Sequence, residues 1–511
     1  MSAPALLALA GVPMGLQPKW VALASLAVIA VLASAKIARA VAARASADVH
    51  VRGARVRAAA ALHERGRRLS DPARALPPPT HLRLGGIRIS RADETKHFKI
   101  IGTTGTGKST AISALLRSAL ARGDRAVIAD PNGACLMSFF DRYRGDVLLN
   151  PFEPRSARWD LFGELRSSFD AENLARGLVP EGDDPAGREW RAYARTLVGA
   201  VVRRLSQSGP PDLHELWRLL AIAGTAELRS VVAGTPGQAF LDEDNARMFS
   251  SIRSVTMTAL AAFPHLAAVR GTTLSIRDWI ARGRGVLFMP YRADQIAALR
   301  ALISTWMRLA IFQTLSGEET AAEERSGQCG ARRRFAMPAR SRTPEGRRIW
   351  FIVDELDALG TIDGLTDALS RLRKFGGSCV LGLQSLAQVS TTYGAGGARS
   401  VIENCGNTLI LRCSASESGG TAAFASQLIG EREVLRRQTA RSSDRGELFA
   451  RRGHRRSTQI ARQRVIESAV LPSEIEQLPD LVGYLKTASN PCWTRIRLAP
   501  EPRSWPSTTF G

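Results

Sequence analysis

One octapeptide, Gly102-Thr103-Thr104-Gly105-Thr106-Gly107-Lys108-Ser109, constrains this 511-residue chain more than any other feature. It fits G-x-x-x-x-G-K-[ST], the phosphate-binding P-loop. Glycines lacking a Cβ let the backbone curl and turn its N–H groups onto an anion. Lys108 brings an ammonium to the β- and γ-phosphates, and the Ser109 hydroxyl suits Mg²⁺. Both flanks agree. Phe98-Lys99-Ile100-Ile101 reads as a short buried strand, and Thr110 opens a helix with Ile112, Leu115, Leu116, Ala119 and Leu120 at helical spacing. The loop therefore caps a helix N-terminus, where the dipole favours negative charge. Residues Gly102 to Thr110 are the expected nucleotide contacts.

A second landmark lies some 245 residues on. The apolar run Ile349-Trp350-Phe351-Ile352-Val353 ends in Asp354-Glu355, a Walker B pattern. Asp354 is expected to hold Mg²⁺ with Ser109, and Glu355 to orient and deprotonate an attacking water. Cys379 to Leu383 is a further strand, ending at Gln384, an amide placed to sense the γ-phosphate or to cap the next helix. Strands are also expected at Arg125–Asp130, Val147–Pro151, Gly285–Met289, Thr408–Leu411 and, last, Val482–Lys486. Alternating with helices, they predict a parallel sheet covered on both faces. Leu82–Ile89 reads as a strand pair around Gly85-Gly86. Between about Arg155 and Thr273 strand character vanishes; Trp190, Ala194, Leu197, Val198 and Val201 recur at helical spacing, predicting an inserted all-helical domain.

Charge narrows the partners. Seventy Lys and Arg against 47 Asp and Glu leave a net +23, which calls for a polyanion, either nucleic acid or an acidic lipid surface. Six cysteines without a C-x-x-C pair read as buried free thiols, and His214-Glu215 lacks the second histidine of a zinc protease. Trp20 to Ala35 is uncharged, and a span of about residues 20–38 is just long enough to cross a bilayer. Lys36, Arg39 and Arg44 follow it and orient the remainder toward the cytoplasm. Residues 3–16 are a candidate for a second span. Ala38 to Arg68 is expected to be a basic helix, followed by a stiff linker at Pro77-Pro78-Pro79. Arginines crowd 332–348, read as a loop, and 436–464, read as extended or unstructured chain.

His97 to Ser109, Asp130-Pro131-Asn132-Gly133, Asn150-Pro151-Phe152, Trp350 to Leu356, Leu369 to Gly376, Leu383-Gln384-Ser385 and Leu478-Pro479-Asp480-Leu481 together resemble the nucleotide-binding core of type IV secretion coupling proteins, the TraD and TrwB group. The resemblance implies an α/β fold: a RecA-like P-loop NTPase domain (80–154 and 274–495) with an inserted all-alpha domain (155–273). An N-terminal transmembrane anchor (1–45), a basic helix and linker (46–79) and a tail (496–511) complete the expected layout. It implies ATP and Mg²⁺ as cofactors and a homo-hexamer on the cytoplasmic face of the inner membrane. Single-stranded DNA, a relaxase and type IV secretion channel proteins are the implied partners, and ATP-driven DNA translocation the implied function. Carried over residue by residue, Lys108, Glu355 and Gln384 serve catalysis, and Arg373 stands where the family has an arginine finger reaching a neighbouring subunit. Arg464 is a second candidate for that role. The alternatives are a nucleotide-ordered DNA- and relaxase-binding adaptor that does not pump, and a double-stranded DNA translocase.

Overall fold

The computed structural model describes residues 48–58, 81–182, 185–209, 212–327, 348–416, 419–443 and 456–500. The chain divides into two compact units: one of residues up to Ala54 with Gly430–Ala469, the other of Arg55–Ile429 with Val470 onward. The predicted spans at 20–38 and 3–16, the arginine loop up to 347, and Cys329 lie outside the described residues. The other five cysteines are buried free thiols.

The larger unit is built on a ten-stranded sheet. Its strands are β1 (Val56–Ala58), β2 (Phe98–Ile101), β3 (Arg125–Pro131), β4 (Val147–Leu148), β5 (Val286–Tyr291), β6 (Ile349–Val353), β7 (Gly377–Leu383), β8 (Asn407–Ile410), β9 (Val482–Lys486) and β10 (Trp493–Arg497). Their spatial order is β1-β10-β9-β8-β2-β7-β6-β3-β5-β4. From β8 to β4 all pairings are parallel. β9 and β10 add antiparallel strands at the β8 side, a departure from the expected all-parallel sheet. The last strand expected from the sequence is β9. Its missed neighbour β10 has an interrupted apolar pattern, with exposed Arg495 and Arg497 between buried Trp493, Ile496 and Leu498.

The central strands are apolar throughout because helices cover both faces. Every residue of β2, β5, β6, β7 and β8 is buried. The helix α1 (Lys108–Ala121) seats Ile112, Leu115 and Leu116 on this core with Ile100, Ile128, Phe288 and Ile352. Full burial of one such side chain is worth about 1.5–3 kcal/mol. Helix α2 (Ile296–Gly327) contains Ile296–Ser316, which by length and hydropathy could cross a membrane, yet 67% of that window is buried within the protein. It is a core helix, with Leu299, Ile303, Trp306, Met307 and Ala310 packed inside.

Between Ser168 and Ala268 the described residues form helices and short turns, the longest being Pro185–Gln207 and Ala246–Ala259. Asp212 caps one helix by accepting from the His214 N–H at 3.2 Å; Leu213, Leu216, Leu219 and Leu220 then face inward at helical spacing.

The smaller unit is a three-stranded antiparallel sheet of Val49–Gly53, Glu431–Ser443 and Arg456–Ser468. Two expectations fail here. The reading of Ala38–Arg68 as a basic helix is contradicted, within the described residues, by the strands Val49–Gly53 and Val56–Ala58. Val49-His50-Val51 is β-branched at alternate positions, and Gly53 sits at φ 93°, which ends a helix and suits an extended chain turning into the next strand. The partners that select the strand, Arg432 to Leu435, lie nearly 400 residues away, beyond any local pattern. The arginine-rich 436–464 stretch, sequence-assigned to the nucleotide-binding domain, is instead largely the hairpin of this unit, paired from Glu431↔Ser468 to Ser443↔Arg456.

Candidate nucleotide-binding site

Register brings the site together. In β6, Val353 lies opposite Ala129 of β3 and Leu381 of β7, so Asp354, Asp130 and the end of β7 emerge at one edge of the sheet. Ile101 of β2 pairs with Leu383 and Ile410, delivering the P-loop to the same edge. This is the carboxyl edge of the parallel strands, where open α/β sheets bind ligands.

The loop is held from below. Gly102 N–H donates to Leu383 O at 3.1 Å, Thr103 N–H to Arg412 O at 2.9 Å, and buried Thr106 Oγ1 to Thr103 O at 2.8 Å. Gly105 and Gly107 have φ of 78° and 113°. At Gly107 a Cβ would also stand 2.8 Å from Leu481 Cδ2. Lys108 Nζ donates back to Gly102 O at 2.7 Å and Thr103 O at 3.2 Å, spanning the loop it closes.

Above the loop is a cavity of about 360 Å³ lined by Thr104, Gly105, Gly107, Lys108, Ser109, Thr110, Asp354 and Glu355, with Pro131, Asn132, Ala134 and Leu481. Two sequence landmarks therefore share one cavity. Ser109 Oγ donates to Asp354 Oδ2 at 2.6 Å. Asp354 Oδ1 is buried without a hydrogen-bond partner. A hydroxyl beside a carboxylate with an orphaned oxygen fits a small oxygen-seeking cation such as Mg²⁺. Gln384 Nε2 donates to Thr104 Oγ1 at 2.6 Å, tying the end of β7 to the loop; Ser385, not Gln384, stands at the start of the next helix. Gly102, Thr103 and Thr106 support the loop without lining the cavity.

Burial dominates the electrostatics. It lowers the Lys108 pKa against the pull of Asp354 and Glu355. It raises that of Asp354, opposed by the Ser109 hydrogen bond and Lys108. Glu355 is raised by burial and then by Asp357. A base held above its ordinary carboxylate range takes a proton more readily near neutrality.

Arg373 stands apart. It is exposed, on the turn Leu372–Phe375 that precedes β7, while Gln384 follows β7. The whole seven-residue strand separates it from its own chain's cavity, roughly 20 Å at strand rise. Arg464 lies on the smaller unit's hairpin, 3.6 Å from Glu433.

Asp130, Asn132, Tyr291 and Leu481 carry no role expected from the sequence. Asp130 is buried at the end of β3, accepts from Cys135 N–H at 3.0 Å and Leu136 N–H at 2.7 Å, and is pushed up to about 6 by burial. Tyr291, ending β5, is buried with its hydroxyl unpartnered; burial and the nearby Glu355, Asp354 and Asp130 raise its pKa. An acid closing a strand beside the Walker B strand was the available signal for Asp130. Leu481 reaches the cavity from the far end of the chain; the sequence marks it only as part of Leu478-Pro479-Asp480-Leu481, with nothing local to tie it to the P-loop.

The α/β sheet, the P-loop and its paired acids define a P-loop NTPase fold of the RecA type. Residues 81–499 match the model of the type IV secretion-system coupling protein DNA-binding domain. Coupling protein TraD of Escherichia coli K12 is 30% identical over 438 residues, covering 82% of this chain and 56% of TraD. The chain thus spans little more than half the length of that curated relative. Coupling protein VirD4 of Bartonella quintana is 42% identical over 59 residues, 12% of this chain and 9% of VirD4. Plasmid coupling protein TrwB in complex with ADP and Mg²⁺ superposes with a TM-score of 0.70 at 29% identity, covering 90% of this chain and 96% of that one. TrwB with a non-hydrolysable ATP analogue gives 0.69 at 28% identity, covering 89% and 95%. The chain belongs to the type IV secretion coupling protein family.

Proposed function

We propose that this protein is a membrane-anchored ATPase that drives DNA toward a type IV secretion channel, taking relaxase-bound single-stranded DNA as its substrate. The observation that carries this reading is the single cavity uniting Lys108 and Ser109 with Asp354 and Glu355. Nucleotide and Mg²⁺ in the related TrwB support the choice of ligand.

Ser109 and Asp354 would hold Mg²⁺, and Lys108 with the loop N–H groups would hold the phosphates. The cation, when bound, neutralises charge on the β- and γ-phosphates. Glu355 orients the attacking water and accepts its proton, aided by its raised pKa. Gln384, already tied to Thr104, carries the state of the loop into β7. Arg373, remote from its own cavity, acts in trans on a neighbouring subunit, which requires a ring; hexamer is the family's form. Loss of such a finger costs about 10³–10⁵ in rate. The layout we propose has residues 1–45 in the inner membrane, a nucleotide-binding domain in the cytoplasm and an all-alpha domain at 155–273 inserted in it. Hydrolysis by the full chain should rise with single-stranded DNA and vanish in Lys108→Ala. Glu355→Gln should bind ATP without turning it over. Mixing Arg373→Ala with Lys108→Ala should restore turnover. Hydrolysis indifferent to DNA would favour the adaptor reading, and preference for duplex DNA the double-stranded pump.

A further inference from the structure

The three-stranded unit has two unlike faces. Directly opposed residues of antiparallel strands share a face. On one face Arg432 and Arg436 are neutralised: Arg432 donates to Glu467 at 2.9 Å, and Arg436 to Glu467 at 2.7 Å and Asp48 at 3.0 Å. The other face sets Arg437 directly against Arg462, and Leu435 against Arg464. All three arginines are exposed. Like charges directly opposed weaken a sheet. Arg52 joins this face and shares Glu433 with Arg464, and Glu431 is the face's other acid, so these four arginines stand against two carboxylates. Exposed Val49 and Ile466, at 61% and 64%, lie among the arginines.

We propose that this face docks on the headgroups of an anionic phospholipid bilayer. The inference rests on the anchor reading of the N-terminus. Three observations favour lipid. Only ten residues separate Ala38, the end of the predicted span, from Val49, a reach of at most about 40 Å over eleven steps. Basic residues close to a membrane span are drawn to acidic lipid. Exposed aliphatic side chains among cations match the depth profile of a bilayer interface. Single-stranded nucleic acid is instead gripped by aromatic stacking, and the described residues of this unit include no Phe, Tyr or Trp.

The test uses the full chain in nanodiscs of phosphatidylcholine alone or with 30–40% phosphatidylglycerol, roughly the acidic content at which polybasic segments bind. An arginine-specific dicarbonyl reagent is followed by peptide mass spectrometry. Arg437, Arg462 and Arg464 should react about fivefold more slowly in the acidic discs, while Arg432 and Arg436 on the opposite face change little. Half-molar salt should erase the difference. Equal rates in the two disc types overturn the proposal. So does protection of these arginines by an oligo-dT strand in neutral discs, which would make the face a DNA surface. A chain that enters neither disc overturns the anchor reading itself, a failure distinct from equal rates in loaded discs.

Discussion

The two edges of the parallel sheet are built on opposite electrostatic plans. At the amino edge charges are matched. Glu94, fully buried, accepts from both terminal guanidinium nitrogens of Arg122 at 2.9 Å and forms an ion pair with Arg348 at 3.1 Å. Asp124 accepts from Trp350 Nε1 at 3.0 Å and from Arg122. His97 is neutral there, accepting from the Cys379 N–H at 3.0 Å and bonded to Leu369 O at 2.8 Å. At the carboxyl edge Asp354, Glu355 and Asp357 gather around one lysine, and Asp130 lies near Asp354, with Asp354 Oδ1, Asp357 Oδ1 and the Tyr291 hydroxyl unpartnered. At the first edge the charges are paired by the protein itself. The second is completed only by something bound, and it gives up stability for that readiness.

The largest effect should come where the carboxyl edge meets backbone. A Cβ at Gly382 would stand 1.9 Å from Asp354 O. Gly382→Ala should cost over about 4 kcal/mol, read as a lowered urea midpoint, together with nucleotide binding. An unchanged midpoint would mean that β6 and β7 are not so closely paired. At the amino edge Glu94→Gln leaves two arginines partly uncompensated and should cost about 3–5 kcal/mol. Nucleotide affinity of the folded protein should stay within twofold, by calorimetry, if the edges are separate in purpose.

Acid should pull the two edges in opposite directions. His97 is lowered to about 4, mainly by burial, from an ordinary 6.5. Its contribution is present above about pH 6.5 and lost as pH falls through 4. Asp130 is raised from 3.8 to about 6, so its contribution is full below pH 3.8 and lost as pH rises through 6. Each is worth roughly 3 kcal/mol by linkage, and the two nearly cancel. Removing one should unmask the other. His97→Gln should gain stability, relative to the wild type, between pH 7 and 4, and Asp130→Asn should lose it. Parallel profiles for both variants and the wild type would refute the contrast.

The carboxyl edge was largely legible in the sequence because its chemistry sits in contiguous motifs. Residues 102–109 and 349–355 carry both the strand and the group the strand delivers. The amino edge was not, since Glu94, Arg122 and Arg348 are each unremarkable charges until folding unites them. The same cause hid Leu481 and the strand at Val49–Gly53, whose partners are remote in sequence. Gln384 could be singled out because strand β7 can be counted to its end, and there it reaches the loop through Thr104.

The smallest expected change is also the most direct test. Asp354→Asn keeps an acceptor for Ser109 but removes one of the crowded charges. Without nucleotide it should be as stable as the wild type or slightly more so, within about 1 kcal/mol. With excess Mg-ADP, at 100 times the dissociation constant, the wild type should gain about 2.7 kcal/mol and the variant almost none. Melting both proteins with and without Mg-ADP reads this in one experiment. A ligand-induced shift present in the wild type and absent from Asp354→Asn is the predicted result. Equal shifts, or none in either protein, would contradict the claim that the carboxyl edge is completed by a bound nucleotide and its cation.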